Sequence, residues 1–222
     1  MRRPAHSRAH HYTAVMQPLS FSPAADRNKH AILQVLQTVL PVQGSALEIA
    51  SGTGQHAAWF ASHLPGWTWQ PTDATVDSLP SIVGYAAQLG AHNVLTPHVL
   101  DVLKSPWPGS DNSGLHTCYD AIYCANMLHI SPWATTAALM QGSAQHLARG
   151  GMLITYGPYL EDMEPTAEGN LVFDADLRAQ NRLWGLRRLS DVASVAAQFG
   201  LHLCQRHALP ANNLLLVWQA RT

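Results

Sequence analysis

Apolar residues recur along this chain with two different spacings. Spacings of three and four residues are typical of helices that bury one face, and short continuous apolar runs bounded by turn-forming residues are typical of strands. The first spacing predicts helices over residues 23–40, 55–64, 75–89, 132–149, 173–184 and 190–199. The second predicts strands over residues 46–50, 67–71, 93–99, 119–125, 152–156, 202–209 and 214–219.

The order of these elements predicts the fold class. Five strands alternate with helices, which favours a mainly parallel sheet joined by right-handed crossovers. Only Pro210-Ala211-Asn212-Asn213 separates the last two strands, and so short a connection joins antiparallel neighbours. We therefore expect an α/β fold with a mostly parallel seven-stranded sheet, helices on both faces and an antiparallel C-terminal hairpin.

Composition limits the class of protein. The chain has 222 residues, 47% of them hydrophobic, which suits one domain with a substantial core. A net charge of −1 gives no basic field for nucleic acid. Three cysteines without a Cys-x-x-Cys pair suit a reducing cytoplasm, and no run of about 18 apolar residues predicts a membrane span. Residues 1–20 are basic and aperiodic, so we expect a disordered arm before a single domain over residues 21–222.

The most informative stretch follows the first predicted strand and reads Glu48-Ile49-Ala50-Ser51-Gly52-Thr53-Gly54. In α/β sheets, strand ends and the amide groups of the next helix form ligand sites at this edge. Gly52 and Gly54 can take backbone angles closed to other residues and leave room for a ligand. The loop lacks both the lysine of a Walker phosphate loop and the third glycine of the dinucleotide fingerprint.

Two acidic residues follow the next two predicted strands. Asp73 comes about 20 residues after the glycine loop, where an acid can accept hydrogen bonds from both hydroxyls of a ribose. Asp101 can accept a hydrogen bond from an adenine amine. A helix cap for Asp73 and a turn residue for Asp101 are the alternative interpretations.

In order and spacing, these residues resemble the class I S-adenosylmethionine-dependent methyltransferases, and the last hairpin is similar to the reversed last strand of their Rossmann-like fold. A closer resemblance, from residue 21 to residue 218, is to a domain-of-unknown-function subfamily that includes the vertebrate methyltransferase-like protein twenty-six. The strings that carry it are Ser22-Pro23-Ala24-Ala25-Asp26-Arg27-Asn28-Lys29, Ser51-Gly52-Thr53-Gly54-Gln55-His56, Trp69-Gln70-Pro71-Thr72-Asp73, Asn126-Met127-Leu128-His129-Ile130-Ser131-Pro132-Trp133, Tyr156-Gly157-Pro158-Tyr159, Trp184-Gly185 and Pro210-Ala211-Asn212-Asn213. The segment after Tyr159 lacks the Gly and Ser that this subfamily usually has before Asn170, so a substrate cannot be carried over.

The resemblance implies S-adenosyl-L-methionine as the cofactor. The two loop glycines would lie beneath its methionine part, and Glu48 would either orient the loop or bind its amino group. The strand-four end would lie beside the sulfonium, and the start of the first helix would fold over the cofactor. The cofactor-binding residues so implied are Glu48, Ser51, Gly52, Gly54, Asp73, Asp101, Val102, Asn126, Met127, Arg27, Asn28 and Lys29.

Methyl transfer is an in-line displacement at a methyl group that positive sulfur already activates. The protein therefore has to align the nucleophile and, where needed, remove its proton. His129, after strand four, is the candidate base because its ordinary pKa of roughly 6.5 leaves it neutral at pH 7. Tyr156, after strand five, is the second catalytic candidate. A structural histidine bonded to a backbone carbonyl and a packing tyrosine are the alternatives.

Further residues are candidates for contact with the acceptor. Aromatic side chains can wall an apolar acceptor or cover a cation, and arginines can bind a carboxylate. Core packing, a solvated helix face and hairpin-turn structure are the competing interpretations. The candidates are Trp133, Tyr159, Trp184, Arg178 (with Arg182 and Arg187), Asn212 and Asn213.

The acceptor class follows partly by elimination. The string Asn126-Met127-Leu128-His129 is not the Asn/Asp-Pro-Pro-aromatic string of base amino methylation, and no cysteine follows a proline as cytosine carbon methylation requires. We expect a small-molecule acceptor, no nucleic-acid or membrane partner, no metal, and a monomer or homodimer. Two alternatives stay open: cyclase or lyase chemistry on the aminobutyrate arm of the same cofactor, and a non-catalytic cofactor-binding protein.

Overall fold

A computed structural model of the chain describes residues 19–109 and 114–220. Residues 1–18 of the predicted arm over residues 1–20 therefore lie outside the described residues. The same holds for residues 110–113 of a predicted surface loop. Within the described ranges, no helix is both long and apolar enough to cross a membrane.

Helices and strands alternate through most of these ranges. The helices are α1 (Pro23–Val39), α2 (Gln55–His63), α3 (Leu79–Leu89), α4 (Ala134–His146), α5 (Glu168–Gln180) and α6 (Leu189–Gln198). The strands are β1 (Gly44–Ile49), β2 (Trp67–Asp73), β3 (His98–Val99), β4 (Tyr119–Ala125), β5 (Leu147–Leu160), β6 (Arg187–Arg188), β7 (Leu201–Leu209) and β8 (Asn213–Ala220).

The strands form one sheet in the order β3-β2-β1-β4-β5-β8-β7, with β6 paired to β5 beside this row. Neighbours from β3 to β5 are parallel, whereas β8 is antiparallel to both β5 and β7. The predicted α/β, Rossmann-like fold with a C-terminal hairpin is confirmed. Seven strands make the continuous row, and the two-residue β6 is an eighth that the sequence did not predict.

Helix α1 shows how the local sequence sets a boundary. The Ser22 side chain caps the helix by accepting a hydrogen bond from the Ala25 amide at 3.2 Å, and Pro23 occupies the first turn, where its missing N–H costs nothing. The helix ends at Val39, two residues before Pro41, which cannot continue it. This fixed start brings the polar residues of the first turns to the sheet edge where the ligand site is predicted.

Both faces of the sheet are buried. On one face α1 and α2 contribute Ile32, Leu36 and Phe60 to the core. On the other face α4 and α6 contribute Leu139 and Val192. Each such side chain contributes about 1.5–3 kcal/mol by its burial, and strands between two helix layers are apolar almost throughout rather than alternating.

Strand β5 is much longer than predicted. The expected irregular segment after Tyr156 instead continues as strand through Gly157 and Pro158 to Leu160. Beyond the end of β4, β5 pairs with β8 on one side and with β6 on the other, which keeps it extended. Other boundaries were also predicted wrongly. β3 is only His98–Val99, and α4 ends at His146, so residues 147–149 belong to β5. α5 begins at Glu168, and α6 has Arg188 rather than Ser190 at its N-cap.

Candidate active site

The glycine loop after β1 is a tight turn with left-handed backbone angles. Ala50, Gly52 and Gly54 have φ values of 55°, 54° and 86°. A Cβ atom on Gly54 would lie 2.4 Å from the Ile82 Cα, whereas one on Gly52 would meet nothing within 4 Å. Gly54 is therefore required for the packing of α3 against the loop. Gly52 faces open space, in which a ligand can approach the main chain.

Asp73, at the end of β2, lies against this loop. Its Oδ2 accepts a hydrogen bond from the Gly52 amide at 2.9 Å, and its Oδ1 accepts one from the Thr75 amide at 3.4 Å. The carboxylate remains partly exposed, so it can accept further hydrogen bonds. The open space at Gly52 and this carboxylate beside it fit the ribose and methionine parts of S-adenosylmethionine.

Glu48 lies beneath the loop rather than in the ligand space. Its side chain is 2% exposed, and its Oε2 accepts a hydrogen bond from the Trp69 indole at 2.5 Å. Burial raises the pKa of the carboxyl to about 8, opposed by the Trp69 hydrogen bond and reinforced by the charge of Asp73. Of its two predicted roles, this position favours orientation of the loop over contact with the amino group of the cofactor.

Asp101 and Val102 form a turn after β3. The Asp101 Oδ1 accepts a hydrogen bond from the Leu103 amide at 3.0 Å, and Val102 is buried in the core. Asp101 thus has the local contacts of the turn residue that was its alternative interpretation. Ser51 likewise serves the loop, because its Oγ accepts a hydrogen bond from the Thr72 amide at 3.2 Å.

A cavity of about 750 Å³ opens at the other half of the sheet edge, between α1, the ends of β4 and β5, α5 and the β7–β8 turn. Its lining is Ser22, Ala24, Arg27, Asn28, Ala31, Asn126, His129, Ile130, Tyr156, Pro158, Asn170, Phe173, Pro210, Ala211 and Asn213. The cavity is large enough for a small organic molecule. Among the described residues that line it, Arg27 is the one with a cationic side chain.

Six of the predicted site residues line this cavity. Asn126 and Tyr156 do so because Tyr156 of β5 pairs with the last residue of β4, Ala125, and the Asn126 amide is bonded to the Tyr156 carbonyl at 2.8 Å. Asn126 has a φ of 60°, a left-handed angle that asparagine tolerates better than most residues. The other four predicted residues are Arg27, Asn28, His129 and Asn213.

His129 is held by its backbone and not by its ring. Its carbonyl accepts a hydrogen bond from the Gly185 amide at 2.9 Å, and its ring contacts the Phe173 ring edge-on at 5.5 Å between centroids. Among the described residues, no side chain or backbone group hydrogen-bonds either ring nitrogen. Burial, with a smaller effect of the Arg187 charge, lowers the pKa of His129 to about 4, so the ring is neutral at pH 7.

Gly157 makes room for this ring. A Cβ atom at position 157 would lie 3.3 Å from both Cε1 and Nδ1 of His129. A side chain there would be in tight contact with the imidazole and would displace it slightly, which gives the glycine after Tyr156 a steric role.

A buried hydrogen-bonded chain reaches Tyr156 from the core. Nδ1 of His56 lies 3.3 Å from the Tyr123 hydroxyl, and its Nε2 lies 2.6 Å from the Asn28 Oδ1. The Asn28 side chain also hydrogen-bonds the Tyr156 hydroxyl, which partly opposes the rise that burial causes in the Tyr156 pKa. Burial lowers the pKa of His56 to about 4, so this imidazole is neutral and can donate to Asn28 while accepting from Tyr123.

The structure does not bring the remaining predicted residues to the cavity. Lys29 pairs with Asp26 at 2.5 Å and covers the Trp59 ring at 4.8 Å. Met127 packs partly against the core. Asn212 contributes its carbonyl to a hydrogen bond from Asn170 at 3.2 Å.

The predicted acceptor residues near α5 have other contacts. Tyr159 is buried in the core, and its hydroxyl donates to the Thr155 Oγ1 at 2.9 Å. Arg178 pairs with Asp174 at 2.8 Å. The Trp133 ring lies 5.6 Å from the Arg187 guanidinium, and the Trp184 amide donates to the Asn181 carbonyl at 2.9 Å.

Sequence reasoning missed the contribution of α5 and of Gln55. Asn170 and Phe173 enter the cavity from α5, and no motif signal points to Phe173, which occupies an ordinary helical position. Gln55 ties the two halves of the site together, because its Oε1 accepts hydrogen bonds from the Ser22 amide at 2.6 Å and from the Thr53 hydroxyl at 3.0 Å. In residues 19–109 and 114–220, no group of three or more His, Cys, Asp or Glu side chains is arranged to hold a metal ion.

A family model described as "Protein of unknown function (DUF938)" matches residues 19–220. The chain belongs to this family. Structural similarity extends further, at low sequence identity. An O-methyltransferase family protein from Burkholderia thailandensis superposes with a TM-score of 0.69 and 16% identity, over 90% of this chain and 60% of that one.

Two other solved structures are similar to the same extent. Human N-acetylserotonin methyltransferase, solved in complex with SAM, gives a TM-score of 0.68 and 17% identity over 90% of this chain and 53% of that one. An O-methyltransferase family 2 protein from Planctomyces limnophilus, in complex with apigenin, gives a TM-score of 0.69 and 18% identity over 87% of this chain and 62% of that one. The chain thus spans 53–62% of the length of these three proteins, and the likeness establishes the methyltransferase fold.

Proposed function

We propose that this DUF938 protein is an S-adenosylmethionine-dependent methyltransferase that acts on a small-molecule acceptor. The observation that carries the proposal is His129: a buried, neutral imidazole on the wall of the cavity, with no hydrogen bond to its ring from the described residues. A group that is desolvated and yet unpaired is typical of a site that completes its hydrogen bonds with a ligand.

Cofactor binding is assigned to the glycine loop and the residues that meet it. Gly52 leaves open space for the ligand, Asp73 offers a carboxylate to ribose hydroxyls, and Glu48 joins the end of β1 to β2 through Trp69. Arg27 and Asn126 line the adjoining cavity and would bind the methionine part. The cofactor supplies a methyl group made electrophilic by positive sulfur. Ser51, Asp101, Val102, Met127 and Lys29 have supporting or more distant positions.

The chain itself has two tasks in the reaction. Phe173 and Pro158 exclude water around the acceptor, and the neutral His129 ring accepts the proton of an acceptor hydroxyl as its oxygen is methylated. Tyr156 is neutral because burial raises its pKa, and Asn28 fixes its hydroxyl. With the Asn28 amide donating to that hydroxyl oxygen, the Tyr156 proton is free to bond an acceptor oxygen.

The remaining proposals concern the whole chain. We place it, within the family, near the vertebrate methyltransferase-like protein twenty-six, as a cytoplasmic monomer or homodimer with a single domain over residues 21–222. Asn213 at the cavity wall is the one predicted acceptor residue that keeps this role. For the other candidates the observed contacts favour packing, turn or surface roles.

The first test measures cofactor binding and product. Calorimetry with S-adenosylmethionine should give saturable binding, and incubation with a panel of small hydroxylated acceptors should release S-adenosylhomocysteine. Release of methylthioadenosine would instead indicate chemistry on the aminobutyrate arm. No binding at millimolar cofactor would refute both reactions and leave a non-catalytic protein.

His129→Ala tests the proposed base. We expect turnover to fall by about 100-fold or more, since a positioned base contributes this much, while cofactor affinity stays the same. His92→Ala, which removes an exposed turn histidine, is the matched control and should change neither quantity. In wild type, the acid limb of the rate profile should lie near pH 4, where His129 becomes protonated. A limb near the ordinary histidine value would contradict this assignment.

A further inference from the structure

Arg187 makes an unusual set of contacts for a surface-strand arginine. Its Nε donates to the Leu128 carbonyl at 2.9 Å, and its Nη2 donates to the carbonyls of Ser131 at 2.5 Å and Leu183 at 2.9 Å. The side chain is half-buried, and none of the described carboxylates lies within ion-pair distance of it. The guanidinium thus bonds three backbone carbonyls, and Arg187 is not among the residues that line the cavity, so its position does not favour contact with a substrate carboxylate.

Two of these carbonyls flank His129. Residues Leu128–Ile130 form one turn of 3₁₀ helix, and this turn lacks a side-chain cap. A single turn has poor internal hydrogen bonding and leaves its carbonyls unsatisfied. Arg187 binds the Leu128 carbonyl, before His129, and the Ser131 carbonyl, at the end of the turn. One planar guanidinium therefore bonds both ends of the turn.

A second contact from the same segment supports this arrangement. The Gly185 amide donates to the His129 carbonyl at 2.9 Å, and the neighbouring Leu186 amide donates to the Asp174 carboxylate at 2.6 Å. Residues 183–187 thus contact the carbonyls of Leu128, His129 and Ser131. These contacts fix the backbone from which the imidazole projects, whereas the ring itself packs against Phe173 and Gly157 without a hydrogen bond from the described residues.

The Arg187 charge also acts on the ring. It is one of the two causes that lower the pKa of His129, after burial. Arg27 from α1 and the Tyr156 hydroxyl from β5 line the same cavity, and α5 faces the ring with the uncharged Phe173. The Asp174–Arg178 ion pair of α5 lies beside Gly185, next to the turn. Replacement of Arg187 by an uncharged residue should therefore raise the His129 pKa.

We propose that Arg187 is a positioning residue: its guanidinium clamps the Leu128–Ser131 turn and so sets the direction of the His129 ring in the cavity. This inference rests on the proposed function only for the use of that ring as a base. The clamp itself is a property of the folded chain and can be measured without any turnover.

Three variants separate geometry from charge. Arg187→Met removes both the fork and the charge, and Arg187→Lys keeps the charge but cannot span the carbonyls. Arg149→Met is the matched control, because it removes an exposed arginine near the start of β5. Histidine ring signals would be followed by NMR across pH in each protein, with the His129 signal identified by its loss in His129→Ala.

In the wild type and in Arg149→Met, we expect His129 to titrate near pH 4. In Arg187→Met its pKa should rise above the wild-type value but stay below the ordinary histidine value, because burial remains, and its ring contacts with Phe173 should weaken. In Arg187→Lys the pKa should stay low while the ring contacts weaken as in Arg187→Met. Both variants should lower kcat at least tenfold and change cofactor affinity less than twofold.

The outcomes distinguish this proposal from the proposed function. Unchanged ring contacts and an unchanged His129 titration in Arg187→Met would overturn the clamp, whatever the enzyme does. If Arg187→Met does not fold, Arg187→Lys decides by its ring contacts alone. If the NMR changes occur but wild type transfers no methyl group to any acceptor, the clamp stands and the proposed function fails.

Discussion

The polar side chains at the carboxyl edge of the sheet are hydrogen-bonded differently in its two halves. At the ends of β1 and β2, polar groups bond to one another: Glu48 to the Trp69 indole and Asp73 to the Gly52 amide. At the ends of β4 and β5, the His129 ring and the Arg27 guanidinium line a cavity. The named groups of the first half are bonded within the fold, whereas the second half also contains a ring, that of His129, whose hydrogen bonds are left for a ligand to complete.

Under the proposed function, the two halves bind different kinds of ligand. A preformed half suits a ligand that is the same in every turnover, because fixed dipoles cost no reorganisation when it binds. A half with unpaired groups suits a partner whose identity can change between relatives. The two halves meet at Gln55, whose side chain contacts both Ser22 at the cavity and Thr53 in the loop.

The largest expected effect comes from the packing of the preformed half. Gly54→Ala should lower the free energy of unfolding by about 4 kcal/mol, because its Cβ would lie 2.4 Å from the Ile82 Cα and its φ is left-handed. Gly52→Ala has the same backbone cost without a clash and should lose only about 1–2 kcal/mol. Urea unfolding of both variants makes the comparison. Equal losses would mean that α3 does not pack on the loop as described.

Glu48→Gln tests the buried carboxyl of the same half. Its folded pKa of about 8 lies above its ordinary 4.5, so the stabilisation of the protonated form is complete below pH 4.5 and is lost as the pH rises through 8. Glutamine keeps the acceptor for Trp69 and does not ionise. Relative to wild type, the free energy of unfolding of the variant should therefore gain a few kcal/mol as the pH rises from about 4.5 to about 8. Parallel stability curves for the two proteins would contradict the buried, protonated state of Glu48.

The smallest of the three effects concerns ligand binding at the exposed rim of the preformed half. Asp73→Ala should weaken S-adenosylmethionine binding by about 1–3 kcal/mol, measured by calorimetry, because charged hydrogen bonds to the ligand are lost. Asp77→Ala removes an exposed acid four residues further along and should leave the affinity unchanged. An affinity that is the same in all three proteins would remove Asp73 from the cofactor site.

Much of the fold was predictable because, along most of the chain, the spacing of apolar residues and the positions of turn-forming residues indicate the same elements. β4 was predicted over the residues it occupies, since its apolar run is bounded on both sides by polar residues. β5 was predicted too short because Gly157 and Pro158 are typical of a strand end. Its length instead depends on pairing with β6 and β8, which are distant in sequence.

The site was predictable to the extent that parallel strands end at one edge. Asn126, His129 and Tyr156 follow strand ends, and all three line the cavity. Tyr159 was assigned to the acceptor site although it lies three residues after Tyr156 in the same strand. Since side chains alternate between faces, an odd separation puts the two tyrosines on opposite faces, and they lie in different core clusters. Phe173 could not be found in this way, because its position depends on how α5 docks.

Residues 161–186 leave the sheet after Leu160 and return at Arg187, and these two ends are neighbours because Tyr159 pairs with Arg187 and Leu160 with Arg188. The ends of this excursion lie about one strand spacing apart, so it is a closed loop. The entropic cost of closing such a loop rises only slowly with its length. It carries Asn170 and Phe173 to the cavity but contributes nothing to the glycine loop. Under the proposed function, this excursion is a segment through which acceptor preference could be altered while the glycine loop stays intact.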